Sequence, residues 1–173
     1  GSALPAFGRH PSAQVLEHNG KYYLIDCGEG TQMRLQDAGL SPFKIDHIFI
    51  SHLHGDHYFG LVALVSSLSL LARTKPLKIY GPPELEKILK IQLPWDLGFP
   101  LEFYVLNTEQ PEVILQTRSL SVRSFPVVHS VPTCGFRFQE VKRKRILIPQ
   151  KAREFEIPSC FFSQLTDGED YLR

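Results

Sequence analysis

The sequence predicts a mixed α+β fold on three observations. An apolar-turn-apolar hairpin lies near its start, strands and helices alternate up to about residue 106, and β-type alternation returns between 112 and 139. Gln14 to Glu17 and Lys21 to Asp26 flank His18-Asn19-Gly20, the pattern of a two-stranded ribbon closed by a tight turn. The glycines of Cys27-Gly28-Glu29-Gly30 break the second strand. Thr31 is placed to cap a helix through Gln32 to Ala38 that stops at Gly39. A strand from Ile45 to Ser51 runs into a histidine-rich turn, and the apolar run Phe59 to Ala72 predicts a buried helix from about His57 to Arg73. Strand Leu77 to Tyr80, helix Glu84 to Gln92 and strand Leu101 to Leu106 continue the alternation. Glu112 to Leu115, Ser119 to Pro126 and Cys134 to Gln139 read as strands, and from Ile146 onward the chain reads as helical pieces broken at Pro149 and Pro158.

Composition narrows the class without choosing a function. The 173 residues fit one domain, and 43% hydrophobic with 11% aromatic residues support a buried core and exclude a disordered or low-complexity chain. Nineteen Lys and Arg against eighteen Asp and Glu leave a formal charge of +1, so a nucleic-acid partner must be met by a local basic patch. Cys27, Cys134 and Cys160 are odd in number and widely spaced, which fits reduced thiols in the cytoplasm better than a disulfide framework. The longest apolar run is shorter than a membrane span and carries three serines, and no secretory leader opens the sequence.

The chemistry concentrates in Ser51-His52-Leu53-His54-Gly55-Asp56-His57, directly after a predicted strand. In an extended segment residues i and i+2 point the same way, so His52 and His54 reach one cation together. The turn at Gly55 and the start of a helix re-aim Asp56 and His57 toward a second. Imidazoles with a carboxylate are the donor set of an open catalytic zinc site. The ordinary reading of a lone histidine, a solvated loop residue, does not suit four ligand-type residues at this spacing. Asp26, at a strand end beside a glycine turn, either holds a ligand histidine by the ring N–H that a metal leaves free or caps the turn. His10, His18 and His47 read as ordinary histidines.

The histidine motif resembles the signature of the metallo-β-lactamase superfamily, and Asp26-Cys27-Gly28-Glu29-Gly30-Thr31-Gln32 is similar to the segment that marks its ribonuclease Z family. Gly1-Ser2-Ala3-Leu4-Pro5 and Pro11-Ser12-Ala13 resemble that family's opening, just after its first strand. The resemblance implies an αββα sandwich with the metals at one edge. It also implies a third histidine before a Gly-aromatic-x-aromatic strand, which here is His129 ahead of Gly135-Phe136-Arg137-Phe138. On residues alone His129 reads equally as a ligand or a surface histidine. By resemblance it completes a first site with His52 and His54, while Asp56 and His57 begin a second.

What the resemblance implies functionally is a zinc-dependent endoribonuclease, with manganese as a possible substitute, that trims the 3′ end of precursor tRNA. Two cations would activate a water that Asp56 orients or deprotonates, leaving a 3′-hydroxyl on the tRNA and a 5′-phosphate on the trailer. The family is usually a homodimer, and no membrane is involved. Lys142-Arg143-Lys144-Arg145 either binds RNA phosphate or forms a solvated charged loop. Residues 1–141 read as the N-terminal portion of the domain, and 142–173 as a basic segment with a possible tRNA-binding arm. The family's usual Gly-Pro pair is missing from that arm, and Ile157-Pro158-Ser159-Cys160 stands near its place.

The family also needs a bridging aspartate and two further histidines, for which Asp167, Asp170 and the sequence after His129 offer no counterpart. The expectation is therefore that the first strand and the C-terminal half lie outside these 173 residues, and that the chain alone lacks a complete site. A small-molecule phosphodiesterase or lactonase of the same superfamily, and a non-catalytic half-domain that binds RNA or a partner, are the alternatives.

Overall fold

The structure is a computed structural model that describes residues 7–93, 96–141 and 144–171. Strands β1 (Gln14–His18) and β2 (Lys21–Ile25) pair antiparallel, with Gln14 opposite Ile25 and His18 opposite Lys21. The two residues between them, Asn19 and Gly20, both adopt positive φ, 52° and 73°. Such a turn matches the right-handed strand twist, and Asn-Gly is the dipeptide that tolerates it.

Helix α1 (Thr31–Asp37) follows a turn at Gly30, whose φ of 77° makes it the residue that caps the helix. Thr31 is thus the first helical residue rather than the cap. Its hydroxyl instead donates backward to the Gly28 carbonyl at 2.6 Å. The far end closes as a Schellman turn: Gly39, at φ 67°, donates to Gln36 at 2.9 Å and Leu40 donates to Leu35 at 2.8 Å.

Strands β3 (Ile45–Phe49), β4 (Leu77–Gly81) and β5 (Leu101–Val105) extend the first sheet in parallel, giving the order β1-β2-β3-β4-β5. The connections carry α2 (Gly55–Tyr58) with α3 (Gly60–Leu70), and then α4 (Pro83–Gln92). The single helix expected over 57–73 is therefore two, broken at Phe59. The carbonyls of Asp56 and His57 are taken by the backbone N–H groups of Ser12 and Cys27, at 3.0 and 2.7 Å, and Gly60 donates to Cys27 at 2.9 Å. Tertiary hydrogen bonds have replaced part of the helical ladder, a competition that apolar periodicity does not register.

The two faces of this sheet bury different chemistry. Leu24, Ile48, Ile50 and Ile79 join Leu61, Leu64, Leu68 and Leu85 from the helices in one aliphatic core. Burying each such side chain contributes about 1.5–3 kcal/mol. On the other face the rings of Tyr23, His47, Phe49, Tyr80 and Tyr104 stack across four strands, with centroids 4.7–5.9 Å apart between adjacent strands. Phe136 tilts against Phe49 at 5.5 Å. Period-2 alternation is what separates these faces, since Phe49 and Ile48 are neighbours in sequence and opposite in space.

A second sheet has the order β6-β7-β8, from β6 (Glu112–Gln116), β7 (Leu120–Val127) and β8 (Thr133–Glu140). Helices α5 (Pro149–Glu154) and α6 (Phe162–Asp167) are short, and each starts beside a proline or a single-turn 3-10 segment. The chain divides into two compact units, residues 1–115 with 122–137 and residues 116–121 with 138–173. Among the described residues no helix is long and apolar enough to cross a membrane.

Candidate metal centre

Strand β3 delivers the histidine loop to a fixed place. Ile50 donates to Tyr80 and Asp26 to Phe49, both at 2.8 Å, which ties the strand's end to both parallel neighbours. His52 then turns inward and is 4% exposed. His54 remains extended, at φ −71° and ψ 138°, and is the residue that caps α2. The i, i+2 geometry expected of an extended segment is present: His52 Nε2 and His54 Nδ1 lie 3.1 Å apart.

His129 arrives from the connection between β7 and β8. The Cys134 N–H donates to the Ser51 carbonyl at 3.0 Å, so the start of β8 is bonded to the histidine loop itself. His129 Nε2 is 3.2 Å from His54 Nδ1, and the His52 and His129 rings are 4.8 Å apart. The donor nitrogens of His52, His54 and His129 all lie within 4.8 Å of one another.

Three imidazole nitrogens so close together are held by a ring N–H shared between neutral neighbours, by an added proton, or by a common cation. Protonation is the poorer answer. Burial and the neighbouring imidazoles of His57 and His54 push His52 down to about 4, so it is neutral at physiological pH, the form that binds metal. The cluster is thus fit to hold a divalent metal.

Asp56 and His57 stand beside the three imidazoles, from the first turn of α2. Asp56 Oδ2 lies 3.7 Å from His57 Nε2. The other nitrogen of His57, Nδ1, meets Asp26 Oδ2 at 2.7 Å. Asp26 is 5% exposed and sits at φ 56°, a left-handed conformation that costs a non-glycine residue strain and aims its carboxylate under the loop. The Ser51 N–H and hydroxyl both donate to its Oδ1 at 2.9 Å, and the Ser12 hydroxyl donates to Oδ2 at 3.3 Å.

The glycine segment serves this arrangement through its backbone. Gly28 donates to Ser12 at 2.9 Å, and a Cβ at Gly28 would collide with the Asp56 carbonyl and the Pro11 side chain. A Cβ at Gly60 would collide with the Gly28 carbonyl. These two glycines let the Asp26–Gly28 segment press directly against α2 and α3.

The opening above the imidazoles is lined by Ser51, Asp56, His57, Val127, Thr133 and Cys134 along with the three histidines. The two nearby thiols are protonated: burial pushes Cys27 up to about 12 and raises Cys134 as well. The donor atoms that converge here are the nitrogens of His52, His54 and His129.

The sequence gives no role to the hydroxyls of Ser51 and Ser12, which both donate to Asp26. Ser51 flanks the motif and was readable as the residue at the strand's end. Ser12 precedes Asp26 by 14 positions and has no spacing signal. Of the basic tract, Lys142 and Arg143 lie outside the described residues, as do residues 1–5 of the family-like opening. Lys144 is ion-paired with Asp167 at 2.9 Å, and the Arg145 N–H donates to Thr166 at 2.6 Å. Beside them Ile146, Ile148, Phe155 and Leu165 line an apolar groove in which Ala152 is buried.

Several known proteins are similar to this chain. Residues 1–96 match the family model described as Anti-Pycsar protein Apyc1. The chain is 38% identical to ribonuclease Z of Bacteroides fragilis over 175 aligned residues, covering 99% of this chain and 58% of the relative. It is 44% identical to ribonuclease Z of Methanococcus maripaludis over 151, covering 84% and 48%. The chain thus spans about half to three fifths of the length of these curated relatives. Among solved structures it resembles the short form of human tRNase Z, with a TM-score of 0.69 at 31% identity over 81% of this chain and 61% of that one. The metallo-β-lactamase fold protein YhfI of Bacillus subtilis, at 22% identity and a TM-score of 0.62 over 79% and 54%, shares the fold. The chain belongs to the family described as Anti-Pycsar protein Apyc1, is similar to the ribonuclease Z proteins, and has the metallo-β-lactamase fold.

Proposed function

We propose that the protein is a zinc-dependent endoribonuclease that cuts precursor tRNA at its 3′ end by two-metal phosphodiester hydrolysis. The observation that carries this reading is the convergence of His52, His54 and His129 beside Asp56 and His57, in a chain 37–44% identical to proteins named ribonuclease Z. The activity belongs to the whole protein, of which these residues provide one part of the site.

In this reading His52 Nε2, His54 Nδ1 and His129 Nε2 hold the first zinc ion, and Asp56 with His57 Nε2 contributes to the second. When bound, the two ions supply Lewis acidity that lowers the pKa of water and offsets charge on the phosphoryl oxygens. Asp56 orients the attacking water and takes its proton on Oδ2. Asp26 keeps a proton on His57 Nδ1, so that the Nε2 lone pair faces the site. Attack in line then leaves a 3′-hydroxyl on the tRNA and a 5′-phosphate on the trailer. Lys142 to Arg145 lies along the RNA backbone as a positioning contact rather than a reader of sequence. The reading extends to a cytoplasmic homodimer that accepts zinc or manganese.

The test compares cleavage of a precursor tRNA with cleavage of bis-p-nitrophenyl phosphate, in the full-length protein and its His54→Ala and Asp56→Ala variants. Specific cutting at the tRNA 3′ end, lost in both variants, is the expected result. Turnover of the small diester without tRNA cleavage makes the protein a small-molecule phosphodiesterase instead. Cleavage that survives both substitutions removes the roles assigned to these residues.

A further inference from the structure

We infer that Ser51 is a positioning residue for the metal centre: its hydroxyl relays the Asp26 carboxylate to His52, fixing the ring proton on Nδ1 and leaving the Nε2 lone pair for the metal. The inference rests on the metal-centre reading above and deepens it. The geometry is a chain of short contacts. Ser51 Oγ lies 2.9 Å from Asp26 Oδ1 and 2.9 Å from His52 Nδ1. On the far side of the same ring, His52 Nε2 faces His54 Nδ1 at 3.1 Å, inside the three-histidine cluster.

Counting protons decides the direction of the relay. A carboxylate only accepts hydrogen bonds, and a hydroxyl carries one proton. If Ser51 gave that proton to His52 Nδ1, its oxygen would face Asp26 Oδ1 at 2.9 Å with no proton between them, and the lone pairs would repel. If Ser51 gives it to Asp26, the serine oxygen is free to accept from His52 Nδ1–H, and every contact is satisfied. Asp26 is deeply buried, so an unsatisfied oxygen there is costly, at about 1–3 kcal/mol. The second arrangement is therefore the stable one.

Asp26 then serves both groups of ligands by different routes. It touches His57 directly, at 2.7 Å to Nδ1, and reaches His52 only through Ser51. One carboxylate, held by the backbone N–H of Ser51 and the hydroxyl of Ser12, thus presets one imidazole on each side of the centre. Among the described residues His54 and His129 have no comparable support, since the ring nitrogens of each meet only other imidazoles. Presetting a ligand tautomer removes a choice that binding would otherwise have to make.

The experiment reads the tautomer before it reads the metal. Two-bond proton–nitrogen correlation spectra of the 15N-labelled full-length protein without metal, at neutral to mildly alkaline pH, should show His52 as the Nδ1–H form. Ser51→Thr, which keeps the hydroxyl, should retain that form, and Ser51→Ala should shift it toward a mixture. Zinc ion titrated against a chromophoric chelator should bind Ser51→Ala roughly 10- to 100-fold more weakly than wild type, with Ser51→Thr restored to within a few-fold. A wild-type His52 protonated on Nε2 overturns the inference, and needs no variant to fold. So does a folded Ser51→Ala chain with wild-type zinc affinity. A wild-type full-length protein that takes up no zinc removes the metal centre itself, and the relay with it.

Discussion

The histidine loop and the tail from Lys144 to Tyr171 are built on opposite plans. Residues 51–57 are bonded by backbone groups to Ser12, Cys27 and Cys134 and rest on a buried carboxylate. The tail is made of six-residue helices, keeps Ile146 and Phe155 exposed, and holds its one described lysine of the basic tract in a surface ion pair. A site that must hold several donors within tenths of an ångström needs the first plan. A surface that contacts a long polymer tolerates the second, because phosphate contacts are many and individually weak. Substitutions should accordingly hurt steeply in the loop and mildly in the tail.

The steepest loss is expected at Asp26. Asp26→Ala leaves the Ser51 N–H and the His57 Nδ1–H without their acceptor in a buried place, costing about 2–4 kcal/mol of stability by chemical denaturation. Zinc affinity should fall by roughly 100-fold or more, since the carboxylate supports two ligands. A variant with wild-type stability and affinity would make Asp26 a mere turn residue. Gly60→Ala comes next. Its methyl group meets the Gly28 carbonyl, so α3 must back away from the Asp26–Gly28 segment at a cost of about 1–3 kcal/mol. The same change at Gly20, in an open hairpin turn, meets no atom within 4 Å and suffers only from its positive φ. Thermal unfolding of the two variants side by side measures the difference.

The contrast also explains what was readable in advance. The hairpin was legible because Asn19-Gly20 names its own turn, and the strand-helix alternation because apolar runs change period between turn residues, while the parallel pairing itself came from the structure. Of the site, the segment from His52 to His57 was legible because all its donors are local. His129 was not, on residues alone, because 75 positions separate it from His54, and it is the Cys134–Ser51 hydrogen bond that ties the start of the following strand to the loop. The break at Phe59 was hidden for a related reason: the apolar pattern of residues 59–72 continues through it, while the hydrogen bonds that interrupt it come from Cys27 and Ser12. Ser51 opens the motif, but nothing in its spacing marks the hydroxyl that stands between Asp26 and His52. Sequence spacing carries local geometry, and the distant half of a site is carried by backbone contacts that leave no periodic trace.

A milder effect is expected from acid, and it tests the aromatic face behind the loop. Burial, reinforced by the Lys78 charge, pushes His47 from 6.5 to about 4, and its Nδ1 faces the Tyr80 hydroxyl at 3.3 Å. Between these two values the unfolded chain binds the proton that the folded chain refuses, so stability rises with pH across the window. Lowering the pH from 6.5 toward 4 should therefore weaken the fold, and the loss should level off below 4. His47→Gln should flatten the profile of unfolding free energy against pH by less than about 1 kcal/mol per pH unit. The variant should retain a residual slope of the same sign, because His52 is depressed over the same range. A profile unchanged by His47→Gln would mean that the aromatic stack does not exclude the charged ring.

The smallest effects belong to the tail, and there the sign matters more than the size. Lys144 and Asp167 are exposed partners at 2.9 Å, so removing either should change stability by no more than about 1 kcal/mol. RNA affinity should separate them. If the basic tract lies along RNA phosphate, Lys144→Ala removes a cation and Asp167→Asn releases one from its partner, so the two variants must move affinity in opposite directions. Filter binding of precursor tRNA at several salt concentrations reads both. Each lysine–phosphate pair made or broken should change the slope of log affinity against log salt by about 0.7–0.9. Weaker binding in both variants would instead mean that the Lys144–Asp167 pair holds the tail in shape and that the tract meets RNA only through that shape.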